Sequence, residues 1–119
     1  MSLTAFERVR STNMYTAVAV DVPVYCGLDI EYTVTGTIVR SYDTIVAVVS
    51  DRDIWLTPQW DCSRTTTKHV MEVVRTVAVA TPNDLRAGLL GKRPLKSINN
   101  DYRVMVHRIY CTGSGKLYV

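Results

Sequence analysis

Residues 62–70, Cys-Ser-Arg-Thr-Thr-Thr-Lys-His-Val, hold the chain's densest set of chemically capable side chains. A thiol, four hydroxyls, a guanidinium, an ammonium and an imidazole fall within eight residues. Phosphatase chemistry needs a cysteine in an anion-binding loop closed by arginine, and Lys68 stands where that arginine belongs. Lysine is a point charge without the planar fork of arginine, and the loop has no glycine to turn its amides inward. A Cys62–His69 nucleophile pair lacks a third group to orient the imidazole; its one favourable feature is that a helix start lowers a thiol pKa. Gly113-Ser114-Gly115-Lys116 has the glycines and lysine that end a phosphate loop, but Leu117 follows where Ser or Thr and a helix are required. His107 and Cys111 can share a strand face, yet no ligand pair has diagnostic metal spacing. The reading is therefore of a non-enzyme, with no catalytic residues, no metal and no cofactor.

What the cluster does supply is a helix start. Val70, Val73, Val74 and Val77 recur at i, i+3, i+4 and i+7, the stripe of an amphipathic helix. Lys68, Glu72 and Arg75 take the opposite face, with Lys68 and Glu72 placed as an i,i+4 pair. Ser63, Thr65 or Thr66 can cap the orphan amides of that helix. The many valines leave residues 73–80 open between helix and strand. Thr81-Pro82-Asn83-Asp84 is a second helix start, with a capping threonine, a first-turn proline and a capping-box acid; Gly91 is its stop.

The first half reads as strands. Met14 to Val22 alternates and is expected to stop at Pro23 and then Gly27. Asp29 to Arg40 alternates most clearly, with Ile30, Tyr32, Val34 and Ile38 inward and Gly36 marking a bulge or a close backbone approach. Ser41-Tyr42-Asp43 turns into Thr44–Ser50, apolar on both faces as in a central strand. Asp51-Arg52-Asp53 turns into Ile54-Trp55-Leu56, ended by Pro58. Residues 1–12 read as a short helix or an ordered arm and 92–100 as a basic loop. Tyr102 to Tyr110 alternates, and Gly113-Ser114-Gly115 turns the chain into a last strand. This order predicts one α+β domain over residues 1–119, an antiparallel sheet of about five to six strands with one or two helices on one face.

At 47% hydrophobic and 21% charged, the 119 residues suit a single globular core and not a disordered chain. No apolar run suggests a membrane span and no leader is visible, so a cytoplasmic location is expected. Three widely spaced cysteines, Cys26, Cys62 and Cys111, fit free thiols better than a disulfide framework. The charge is polarised: residues 1–61 carry a net −4 and residues 62–119 a net +7, giving +3 overall. The halves can neutralise each other within the fold or across a homo-oligomer contact. They can equally present a basic surface of Arg64, Lys68, Arg86, Lys92, Arg93, Lys96, Arg103 and Arg108 to a polyanion, with Tyr102 or Tyr110 for stacking.

Two stretches together resemble a family of small, largely uncharacterised proteins found chiefly in bacteriophages. Ser41-Tyr42-Asp43-Thr44-Ile45-Val46-Ala47 follows its S-Y-x-T-x-V-A pattern, and Ser63-Arg64-Thr65-Thr66-Thr67-Lys68-His69 its Y-S-x-T-T-S-K-H pattern. Cys62 replaces the tyrosine and Thr67 a serine. The resemblance implies a phage or mobile-element origin and carries no catalytic residues. It makes Ser41, Tyr42, Thr44 and Ser63 a structural motif, and His69 is expected to hydrogen-bond back to the Ser41-Tyr42 turn. The functional version of the same residues is an anion held by the amides of Thr66 and Thr67 with Arg64 and Lys68. The binding candidates are thus Arg64, Thr65, Thr66, Lys68 and His69, joined by Lys92, Arg93 and Lys96 of the basic loop. The expected role is stoichiometric binding to a host or phage protein, inhibition of host defence being one such role. The alternative is a nucleic-acid-binding module using residues 62–119.

Overall fold

Alternation of apolar and polar residues builds the first half of the chain into a meander. The computed structural model describes residues 6–27, 30–112 and 116–119. Its strands are β1 (Glu7–Arg8), β2 (Met14–Cys26), β3 (Ile30–Ser41), β4 (Thr44–Ser50) and β5 (Asp53–Leu56). Helices α1 (Arg64–Val74) and α2 (Pro82–Leu89) follow, then β6 (Leu95–Lys96), β7 (Arg103–Arg108), β8 (Tyr110–Cys111) and β9 (Leu117–Tyr118). The α+β class is as expected, but there are nine strands among the described residues, more than five to six. The path runs β6-β7-β5-β4-β3-β2-β9-β8, with β1 pairing β2 beside it.

The sheet is also not purely antiparallel. β5 pairs β7 in parallel, from Asp53↔Met105 to Leu56↔Arg108, and β2 pairs β9 in parallel at Val24↔Leu117. Parallel neighbours need a long crossover, and the segment carrying α1 and α2 supplies the one between β5 and β7. Local periodicity predicts strands but not which distant strand each one meets, so this mixing was not visible in the sequence.

Several boundaries differ from expectation for identifiable reasons. β2 runs through Pro23 and ends at Cys26, before the expected stop at Gly27; between Ala19 and Val22 its register with β3 slips, so Val20 and Asp21 together face Thr35. Asp21 takes a positive φ of 53° there, and its amide donates to Thr35 Oγ1 at 3.3 Å. A bulge bends the strand and lets a proline continue it close to an edge. Gly36 is a close approach: a Cβ there would lie 2.2 Å from the Val49 carbonyl oxygen. Tyr32 does not face the core but is 50% exposed, its ring 6.5 Å from that of Trp55. Among the described residues of the N-terminal arm, Glu7–Arg8 form strand β1, an ordered arm and not a helix; residues 1–5 lie outside the described residues. Gly113-Ser114-Gly115, Asp29 and the side chain of Ile30 lie outside the described residues.

β4 is the central strand its composition predicts. Val46, Ala47 and Val49 belong to one core and Val48 to another, on the opposite face of the sheet. The first core lies under the helices, with Leu56, Trp60, Val70, Val74 and Leu85. The second gathers Val24, Ile38, Trp55, Ile109 and Leu117, where the curled sheet and its β8–β9 return cover their own surface. α1 packs on β3 and β4, α2 on β6 and β7. Residues 73–80 are neither one helix nor one strand: α1 ends at Val74, and Ala78 makes a single antiparallel bridge to Ser97. That bridge ties the expected basic loop into the sheet, where Leu95 and Lys96 form β6 instead of loop.

Candidate functional site

The hydroxyl cluster of residues 63–67 divides into a capping half and a buried half. Ser63 is the N-cap of α1: its Oγ accepts the Thr66 amide at 3.1 Å. The Thr67 amide donates to the Ser63 carbonyl at 3.0 Å. Both amides expected to cradle an anion are therefore occupied within the helix start itself. Thr65 is exposed on the first turn, whereas Thr66 turns inward and is buried.

Inside, Thr66 meets a strand end twenty-five residues away. Ser41 Oγ lies 3.1 Å from Thr66 Oγ1 and 2.8 Å from His69 Nδ1. Ser63 Oγ donates to Thr66 Oγ1 at 3.0 Å. The run is satisfied when Thr66 donates to Ser41 and Ser41 to Nδ1, which leaves the proton of neutral His69 on Nε2. Ser41 and His69 are 3% and 6% exposed, and burial holds the imidazole pKa below its ordinary value against a smaller upward pull from Glu72. The expected bond from His69 to the Ser41-Tyr42 turn is present, made by Ser41. Tyr42 contributes only its half-exposed ring, 6.3 Å from the imidazole. It holds the turn with φ 55°, its amide donating to the Asn13 carbonyl at 2.8 Å, while Thr44 pairs Ser41 across the hairpin.

A serine hydrogen-bonded to histidine is the start of a nucleophile–base pair, a pairing the sequence reading did not weigh. Here both members are buried between β3 and α1, out of reach of a substrate. Cys62 is exposed, and its sulfur contacts Thr66 Oγ1 at 3.8 Å. The geometry of this cluster is that of a joint.

Accessible chemistry lies on the other side of α1. An open groove of about 1100 Å³ runs between α1 and α2, lined by Ser63, Arg64, Thr67, Lys68, Met71, Glu72 and Arg75 on one wall and Pro82, Asn83 and Arg86 on the other, with Asp61. Arg86 is neutralised by Asp61 at 3.2 Å and lies over the Trp60 ring. Glu72 pairs with Arg10 at 3.8 Å rather than with Lys68. Arg64, Lys68 and Arg75 make no ion pair among the described residues, so the groove's uncompensated charge is positive.

Residues 2–85 match a family of unknown function, DUF8033. The chain belongs to this family. No curated protein and no solved structure matches the chain. The DUF8033 match takes in both halves of the joint and the α1 wall of the groove, and it ends at Leu85 within α2. Lys92, Arg93 and Lys96 lie beyond it.

Those three residues separate in space. α2 ends in a Schellman turn, with Gly91 at φ 71° and the amides of Gly91 and Lys92 on the carbonyls of Gly88 and Ala87, at 3.0 and 3.1 Å. Lys92 lies in that turn and lines neither depression. Arg93 pairs with Asp84, the capping-box acid of α2. The Thr81 amide and hydroxyl, and then Arg93, hold the Asp84 carboxyl below the usual range. Arg93 and Lys96 line a second depression of about 680 Å³ with Pro94, Asn100, Asp101, Tyr102 and Arg103. Most basic residues of the second half are thus split between two depressions, each with acids among them, while Lys92, Arg108 and Lys116 line neither.

His107 does not meet Cys111. Its Nε2 lies 3.3 Å from Asp53 Oδ1 across the parallel β5–β7 pair, and its ring stacks on Trp55 with centroids 4.5 Å apart. Burial raises the Cys111 thiol pKa, which makes it a poorer nucleophile. Among the described residues no group of three or more His, Cys, Asp or Glu could hold a metal ion. The sequence reading missed Asp61, Arg75 and Asn83 as groove residues. Only the packing of α2 beside α1 brings them together, and no local pattern encodes it.

Proposed function

We propose that this DUF8033 protein is a phage-type accessory protein that acts by stoichiometric binding, taking an acidic segment of a host or phage protein into the α1–α2 groove. The observation that carries this reading is the groove's charge. Arg64, Lys68 and Arg75 line an open concavity without ion-pair partners among the described residues, beside the half-buried ring of Pro82. Cationic side chains on a rigid helix select acidic partners by complementarity and speed their encounter. The joint beneath α1 supports the same role, because it fixes the helix against β3 and so presents these side chains in one arrangement. The resemblance to phage proteins supports a host-defence factor as the target class.

The test is affinity capture from host and phage lysates, followed by measurement of the mass of any complex. The wild-type chain should retain a partner at an integer ratio, and the Arg64→Glu/Lys68→Glu variant should release it without losing its fold. Failure to retain any stoichiometric protein, or equal retention by the variant, overturns the reading.

A further inference from the structure

We infer that the β6–β7 hairpin is a second binding site, for single-stranded nucleic acid. Lys96 and Arg103 are direct cross-strand partners, so their side chains leave the same face of the sheet side by side. Like charges placed opposite each other destabilise a strand pair. Neither residue has an ion-pair partner among the described residues that would relieve the repulsion. Arg52 adds a third uncompensated cation, its guanidinium 5.6 Å from the centroid of the Tyr102 ring. An anion between Lys96 and Arg103 removes a repulsion that the free protein carries.

The rest of the depression narrows the ligand class. Tyr102 lines the depression with Lys96 and Arg103 and offers a ring on which a base can stack, Arg52 lying over that ring. Asp101 and Asn100 line the same depression. A carboxylate disfavours a bare polyanion but accepts hydrogen bonds from the amino groups of bases. Phosphate-binding cations, a stacking ring and acceptors for base edges occur together in ligands that carry phosphates and bases at once. A single strand exposes both, whereas a duplex hides its base faces. The site is independent of the α1–α2 groove and shares none of its lining residues.

The experiment is fluorescence anisotropy of a short labelled single-stranded oligonucleotide of mixed sequence, with heparin as the polyanion without bases. Binding should weaken about tenfold between about 50 and 200 mM salt, the dependence expected for two to three phosphates on a single strand. Tyr102→Leu should cost about tenfold for the oligonucleotide and little for heparin. Lys96→Glu should weaken oligonucleotide binding while raising the melting temperature, because it converts the repulsive pair with Arg103 into an attractive one. That opposite movement separates loss of a site from loss of fold. Arg64→Glu/Lys68→Glu, in the other groove, should leave the oligonucleotide affinity unchanged. The inference is overturned by absence of binding at low salt, by heparin binding as sensitive to Tyr102→Leu as the oligonucleotide, or by an equal loss when Arg64 and Lys68 are reversed.

Discussion

The two helices begin with the same chemistry put to different uses. Ser63 at α1 and Thr81 at α2 each accept an amide of the first turn. At α2 the cap is closed locally by Asp84, whose carboxylate returns to the Thr81 amide at 2.9 Å, and the whole box stands in solvent. At α1 there is no acid in the first turn, and the cap continues through Thr66 and Ser41 to a buried histidine. One start is a property of four consecutive residues; the other is a tertiary contact between a hairpin and a helix. The difference teaches that a capping signature in sequence can conceal a fold-level joint.

Breaking the joint should cost more than breaking the box. Ser41→Ala takes the donor from the buried His69 Nδ1 and the acceptor from the Thr66 hydroxyl, which keeps its bond from Ser63, a loss of about 2–3 kcal/mol. Denaturant unfolding of the single and double variants with His69→Ala should give a coupling of about 1 kcal/mol or more, as expected for residues in one network. Tyr42→Phe should be additive with His69→Ala, because the Tyr42 ring contacts the imidazole without a hydrogen bond between them. Additivity of Ser41→Ala with His69→Ala would dissolve the joint into two unrelated contacts.

The box predicts a smaller and more local effect. Thr81→Ala should destabilise by about 1 kcal/mol, the usual worth of an N-cap, and should add to Ser41→Ala without coupling. Amide exchange should accelerate over α2 and leave α1 unchanged. Equal acceleration in α1 would mean that the two starts are mechanically linked across the groove.

How much of this could be read beforehand follows the same division. The Thr81-Pro82-Asn83-Asp84 box and the Gly91 stop are local, and the sequence predicted both. The meander from β2 to β5 was visible because each strand carries its own alternation. The bond from His69 to the 41–42 turn was anticipated only through two spaced motifs, and the residue making it is Ser41, whose hydroxyl turns inward at the strand end. The parallel β5–β7 pair, the groove residues Asp61, Arg75 and Asn83, and the Lys96–Arg103 opposition depend on contacts far apart in the chain. Strand pairing and helix docking are decided by the whole core, so periodicity is silent on them.

The smallest signal separates the two starts without a mutation, through pH. His69 is held neutral by burial, so its folded pKa lies below its unfolded one and the unfolded chain binds more protons as acid is added. The joint's contribution is therefore complete well above about pH 6.5, begins to fall as pH drops through that value, and is fully lost below the folded pKa. Protonation also makes Nδ1 a donor, so Ser41 must turn its own proton toward Thr66, which already receives one from Ser63. Asp84 has the opposite charge type: its folded pKa is depressed by Thr81 and Arg93, so its contribution persists until the pH falls below about 3.9. Thermal melts between neutral and mildly acidic pH should thus show a loss that His69→Gln removes and Asp84→Asn does not. If the mild-acid loss survives in His69→Gln, the titrating group lies elsewhere and the joint is not the proton-sensitive element of the fold.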